Sequence, residues 1–278
     1  MTASGGTGAG GGFADLALRV ATGLAFGLVA ITALLAGGAW FTILIAILSA
    51  LMAFEWRKIS LKDEENAIAG FQVLAVVGAT VMAHFGDLNS ATSFLLAIAG
   101  AGAFADALLK RTAGWGLVGS LYIGFAAICL VGLRGETVEG KYVIYWLAMV
   151  VIATDVGAYF SGRIIGGPKL WRRISPNKTW AGLAGAMVLA AVCSAIFSVL
   201  VLGHVDLFLS LLAALTAVVA QSGDLIESAY KRHFGVKDSG AILPGHGGVL
   251  DRLDGMIAAT IFISIITIFR GGAPIYLW

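Results

Sequence analysis

Residues Trp180 to Gly203 read WAGLAGAMVLAAVCSAIFSVLVLG, 24 residues without one charged side chain. Wound as an α-helix at 1.5 Å per residue they reach about 36 Å, enough to cross a hydrocarbon core of about 30 Å. Lipid offers no hydrogen-bond partner to backbone N–H and C=O, so such a run must satisfy them internally, as a helix does. Working outward from it, apolar segments of the same kind predict spans near 14–36, 39–56, 67–85, 91–109, 114–133, 142–162, 206–230 and 250–269, nine in all with 180–203. The composition agrees: 59% of the 278 residues are hydrophobic and 12% charged, where a soluble domain carries about a quarter charged. Mean hydropathy is +0.93. The expected fold is all-α, a polytopic membrane protein of about nine transmembrane helices with a polar cavity facing the cytoplasm. Three regions follow: an uncharged, flexible tail at 1–12, N-terminal helices at 13–136 serving as scaffold and dimer surface, and a catalytic region at 137–278. The tail lacks the basic start of a signal peptide, so the first span is expected to stay attached.

The formal net charge of +2 lacks the basic excess of a nucleic-acid binder, and no nucleic-acid partner is expected. Cys129 and Cys193 lie in apolar runs without a CxxC or Cys/His cluster, which reads as packing rather than zinc or redox chemistry. The distribution of cations carries more information. Taking alternate loops of the nine-span scheme, 15 of the 18 Lys and Arg fall on one side and only Arg134, Lys141 and Arg270 on the other. Cytoplasmic loops are enriched in both residues. This orientation puts the N-terminus and the loops near Arg57, Lys110, Arg172 and Lys237 in the cytoplasm and requires an odd number of spans. Arg57 is read as a loop cation whose replacement by Lys is nearly neutral.

Acidic side chains inside spans are expensive and ask for an explanation. Three constellations hold them, each near a helix end on the basic side. In the first, Asp155 and Tyr159 share a helix face, and the following loop supplies Arg163, Lys169, Arg172, Arg173 and Lys178 with Ser175-Pro176-Asn177 and Thr179. Cations and backbone amides together suit a polyphosphate, although no P-loop is present. A basic loop held near anionic lipid is the plainer reading. In the second, Gln221, Asp224 and Ser228 fall on one helical stripe beside Glu227, with Lys231 and Arg232 following. A structural ion pair is its plainer reading, weakened because buried pairs seldom add net stability. The third runs from Lys237 and Asp238 through Leu243-Pro244-Gly245-His246-Gly247-Gly248 to Asp251, Arg252 and Asp254. Its glycines let backbone amides approach a phosphate, and one acid there could simply cap a helix.

Carboxylates from separate helices form a hard oxygen site of the kind that keeps Mg²⁺ on nucleotide phosphates, and nearby cations neutralise a phosphorus under attack. Spacing and composition stop at phosphoryl or nucleotidyl transfer and do not name the nucleotide. The run Ser228-x-x-Lys231-Arg232, Lys237-Asp238, Leu243-Pro244-x-His246-Gly247-Gly248-x-x-Asp251-Arg252-x-Asp254 resembles the signature of the phosphatidate cytidylyltransferases, or CDP-diacylglycerol synthases. Tyr230 departs from that pattern, which has an aliphatic residue or Phe there. The blocks around Asp155, around Ser175 to Thr179 and around Asp224 to Ser228 are similar too, so the resemblance covers roughly 150–256.

What the resemblance implies is a homodimeric helical membrane enzyme of the bacterial inner membrane that transfers a cytidylyl group from CTP to phosphatidic acid, an early step of phospholipid synthesis. Asp224 and Asp251 would be metal ligands for Mg²⁺ and a monovalent cation such as K⁺. Asp224, Lys231, Arg232, Lys237, Asp238, His246, Asp251, Arg252 and Asp254 would be catalytic. Asp155, Tyr159, Arg163, Lys169, Ser175, Pro176, Asn177, Lys178, Thr179, Glu227, Ser228, Gly247 and Gly248 would bind substrate.

Rival classes fit less well. A secondary transporter also places acids in Gly-rich spans, but no internal repeat links the halves and the polar residues crowd into the last five helices. A CDP-alcohol phosphatidyltransferase uses DGxxAR with later acids. Asp254-Gly255 opens such a run, but Ala259 stands in the place of the Arg and no Asp follows. A scaffold would leave the intramembrane acids unexplained.

Overall fold

The computed structural model describes residues 10–61, 69–109, 113–240, 242 and 247–272. The expected loop cations Lys62, Lys110 and Arg111, together with His246, lie outside them. Among the described residues the elements in chain order are α1 (Gly10–Ala36), α2 (Gly38–Leu61), α3 (Ala69–His84), α4 (Leu88–Leu108), α5 (Ala113–Arg134) and α6 (Val138–Ile164), a hairpin of β1 (Lys169–Trp171) and β2 (Ser175–Thr179), then α7 (Trp180–Leu202), α8 (Leu207–His233) and α9 (Leu250–Arg270). Helix α1 begins at Gly10, inside the stretch expected as a tail.

The fold is a helical integral membrane architecture apart from that hairpin, and among the described residues seven helices are long and apolar enough to cross a bilayer. These are α2 and α4 to α9, while α1 and α3 contribute the shorter apolar stretches Val20–Ala36 and Gly70–His84. Each of the nine expected spans falls on a helix among the described residues, but only seven of those helices have the length and apolar character of a full span. At 16 residues, α3 covers about 24 Å, short of a hydrocarbon core of about 30 Å.

Small polar side chains set the helix starts. Thr137, Thr179 and Asp206 each accept from a backbone N–H three residues on, at Gly140, Gly182 and Leu209, a cap whose loss typically costs about 1 kcal/mol. Asp87 does the same for Ser90 at the start of α4. Hydrogen bonds from Ser90 hold its carboxyl below the usual carboxylate range.

Two cores organise the molecule. One is built by α2 to α5 and takes in Tyr230, Val249, Leu250 and Ile257 from the C-terminal half. The other joins α6, α7, α8 and α9 around Trp146, Leu147, Val150 and Ile263. Trp146 Nε1 donates to Ser194 Oγ at 2.8 Å, and Ser194 in turn donates to Leu209 O at 3.1 Å, so three helices share one polar tie. Helices α6 and α7 approach at glycines: a Cβ on Gly157 would sit 2.6 Å from Gly185 O and 3.0 Å from Ala186 Cα.

Arg57 corrects the sequence reading. It sits within α2, 2% exposed, where its guanidinium forms a two-pronged pair with Asp106 of α4, Nη1 to Oδ2 at 2.7 Å and Nη2 to Oδ1. It is a packed ion pair between helices rather than a loop cation.

Candidate active site

The polar side chains converge where α6, α7, α8 and α9 meet the hairpin and the loop after α8. Helix α6 carries Asp155, Tyr159 and Arg163 down one face, and β2 delivers Asn177, Lys178 and Thr179. With Gln221 and Asp224 of α8 these residues line a cavity of about 540 Å³, within the range of roughly 300–1,000 Å³ typical of small-molecule sites. The hairpin was read from sequence as a loop. Its strands pair antiparallel, Lys169 opposite Thr179 and Trp171 opposite Ser175. Thr179 then caps α7, which fixes where its neighbour Lys178 enters the cavity.

From that cavity a string of alternating charges runs along α8 to α9. Lys178 Nζ lies 2.5 Å from Asp224 Oδ2 and donates to Gln221 O at 3.2 Å, while Ser228 Oγ donates to Asp224 Oδ1 at 3.2 Å. Carboxylate oxygens of Asp224, Glu227 and Asp254 come within 4.8 Å of one another. Lys231 closes the string, 2.8 Å from Glu227 Oε2 and 2.6 Å from Asp251 Oδ1. Glu227 is 1% exposed; Lys231 meets its Oε2, while its Oε1 has no hydrogen-bond partner. With Asp251, four acids share Lys178 and Lys231, which leaves an excess of negative charge around buried Glu227 and an oxygen facing no donor. That is the situation a hard cation relieves.

Asp251 is differently placed. Its oxygens accept from Lys231 Nζ, from Ser239 N at 3.0 and 3.2 Å and from Gly248 N at 3.0 Å. The last of these depends on the glycine turn. Gly247 has φ +84°, a left-handed conformation that side-chain-bearing residues avoid.

Of the other residues singled out in the sequence, Arg163 donates to Tyr159 Oη at 2.9 Å on the exposed rim of the cavity. Arg232 is exposed and turns to Val236 O. Lys169, Pro176, Lys237, Asp238 and Arg252 are exposed, and Ser175 is half-buried. Glu55 of α2 was missed, although it reaches the turn before α9 and accepts from Val249 N at 3.0 Å and Leu250 N at 2.8 Å. The signal was present as an acid followed by Trp56-Arg57 at the end of an apolar run. Spacing alone gives Glu55 no partner, because the amides it meets lie nearly two hundred positions on and are brought to it only by packing.

Fold and site together define a helical integral membrane protein with an acid-and-lysine centre built from its last four helices. The chain matches the model of the cytidylyltransferase family over residues 17–269. It is 38% identical over 247 residues to the phosphatidate cytidylyltransferase of Brucella suis biovar 1 (strain 1330), covering 88% of this chain and 90% of that protein. To that of Bacillus subtilis (strain 168) it is 34% identical over 265 residues, covering 90% and 96%. The phosphatidate cytidylyltransferase of Staphylococcus haemolyticus (strain JCSC1435) is 41% identical over 157 residues, 55% of this chain and 58% of that protein. The chain belongs to the cytidylyltransferase family.

Proposed function

We propose that this protein transfers the cytidylyl group of CTP to phosphatidic acid, giving CDP-diacylglycerol and pyrophosphate. The observation that carries the reading is the charge string from Lys178 through Asp224, Glu227 and Asp254 to Lys231 and Asp251, in a chain aligned over nearly its full length with phosphatidate cytidylyltransferases. A phosphate oxygen of phosphatidate attacks the α-phosphorus of CTP. One P–O bond forms there, the α–β bridging P–O bond breaks, and pyrophosphate leaves with that electron pair. An ionised phosphate monoester is already a nucleophile, so positioning and charge neutralisation carry the catalysis.

The cavity lined by Asp155, Tyr159, Arg163 and Lys178 admits a phosphate-bearing substrate beside Asp224. Lys178 and Lys231, each already tethered by carboxylates, are held ready to neutralise phosphoryl oxygens. The donor set fits Mg²⁺: Asp224, Glu227 and Asp254 would hold it, and a bound Mg²⁺ would neutralise phosphate charge and orient the triphosphate. Asp251, expected as the second ligand, has its oxygens engaged by Lys231 and two backbone amides, as Asp224 has its own engaged by Lys178 and Ser228, and a cation at either would compete with those donors. The cation excess on one side of the sequence supports a cytoplasmic site, where CTP is found. A homodimer and a monovalent ion such as K⁺ remain part of the reading through the family resemblance.

The test is mass spectrometry of lipids from liposomes that contain phosphatidic acid and the purified protein. CTP and Mg²⁺ should convert phosphatidic acid to a species heavier by a cytidylyl group, and liposomes without phosphatidic acid should yield none. Unchanged phosphatidic acid in the complete mixture would exclude the activity.

A further inference from the structure

Glu55 lies in α2, remote in sequence from the site, and is 1% exposed. Its carboxylate receives three donors from the other half of the molecule: Val249 N on Oε1 at 3.0 Å, Leu250 N on Oε2 at 2.8 Å, and Ser239 Oγ on Oε2 at 3.2 Å. Helix α9 has no side-chain cap of its own, so Glu55 supplies from α2 the acceptors that its first amides need. Two glycines let the loop pass this close, because a Cβ on Gly240 or Gly248 would come within 2.7 Å of a Glu55 oxygen. The segments that Glu55 grips are those that grip Asp251, whose carboxylate accepts from Ser239 N and Gly248 N and then holds Lys231. The neighbouring residue fixes the other end of that pair. Trp56 stacks on Tyr230 with ring centroids 3.8 Å apart, and Tyr230 Oη donates to Trp56 O at 2.6 Å, one residue before Lys231.

We propose that Glu55 is a positioning residue for the transfer reaction: from α2 it fixes Ser239 and the turn at 248–250, and through them the Asp251–Lys231 pair. The proposal rests on the reading of this site as the cytidylyl-transfer centre. A carboxylate is needed because it only accepts. In Glu55→Gln one of the two oxygens becomes an NH₂ group. Ser239 can rotate its hydroxyl to suit, but a backbone N–H cannot reverse, so the amide of Val249 or of Leu250 loses its acceptor and the turn loosens. Small misplacements of catalytic groups are known to lower rates steeply.

The test compares wild type, Glu55→Gln and Glu55→Asp, each reconstituted with CTP and phosphatidate. Glu55→Gln should lower kcat on the order of 10–100-fold, with KM for CTP changed by less than about threefold. Hydrogen exchange at the amides of Val249 and Leu250 should quicken in the same variant. Glu55→Asp keeps two acceptor oxygens and should recover part of kcat. Wild-type kcat in Glu55→Gln overturns the proposal, and so does a lower yield of folded protein whose folded fraction is fully active, since that is a purely structural cap. If Glu55→Gln does not fold, Ser239→Ala removes one donor only. A several-fold fall in its kcat supports the proposal and an unchanged kcat overturns it. A wild-type protein that makes no cytidine lipid sinks the functional reading and this proposal with it, an outcome distinct from any difference among the variants.

Discussion

Asp224 touches both parts of the site, the cavity through Lys178 and the acid group through Glu227 and Asp254. Asp224→Asn keeps the shape and removes the charge. It should nearly abolish turnover with circular dichroism unchanged, and activity within a few fold of wild type would remove Asp224 from the cation site. Arg252, exposed on the first turn of α9, offers a planar fork where Lys offers a point charge. Arg252→Lys should lower kcat and kcat/KM together if the contact strengthens in the transition state, whereas a raised KM alone would assign it to ground-state binding. Lys58→Arg, at an exposed position in the last turn of α2, serves as the neutral comparison. Individual acids and cations were legible in the sequence because charge is costly inside an apolar chain. Their partners were not legible. Nothing in the spacing shows that Lys178 meets Asp224 across 46 positions, or that Arg57 is buried against Asp106, because such pairs are made by tertiary packing.

Helices α6 and α7 present one wall of the cavity together, and glycines set how near they lie. In Gly157→Ala the new methyl meets Gly185 O and Ala186 Cα, both backbone, so the helices must separate. Overpacking of this kind costs typically about 1–3 kcal/mol, and the melting temperature of the detergent-solubilised protein should fall. A variant as stable as wild type would show that the contact is not tight. At this scale the apolar period and the charge of the runs placed the nine helices found among the described residues, because burial in lipid demands helices whatever the tertiary partners. The hairpin at 169–179 was not legible. Its strands are three and five residues long and largely exposed or half-buried, without an alternating apolar pattern that would announce their pairing. The reach of α2 past 56 was also missed, since a charged residue looks like the end of a span until its buried partner is known.

For the whole molecule, the bias of Lys and Arg predicts one orientation. Reporter fusions within residues 233–245 should act as cytoplasmic, and alkaline-phosphatase activity from such a fusion would reverse the topology. That side is the one on which the acid group, both lysines and the cavity must meet CTP. The central claim is that the last four helices, braced by α2, carry cytidylyl transfer between a soluble nucleotide and a lipid phosphate. It is tested most directly by following two labels of CTP with the reconstituted protein, phosphatidic acid and Mg²⁺. Label at the α-phosphorus should pass into the lipid phase while label at the γ-phosphorus appears in pyrophosphate in equal amount. Label from the γ-phosphorus in lipid, or no lipid label at all, would contradict the account.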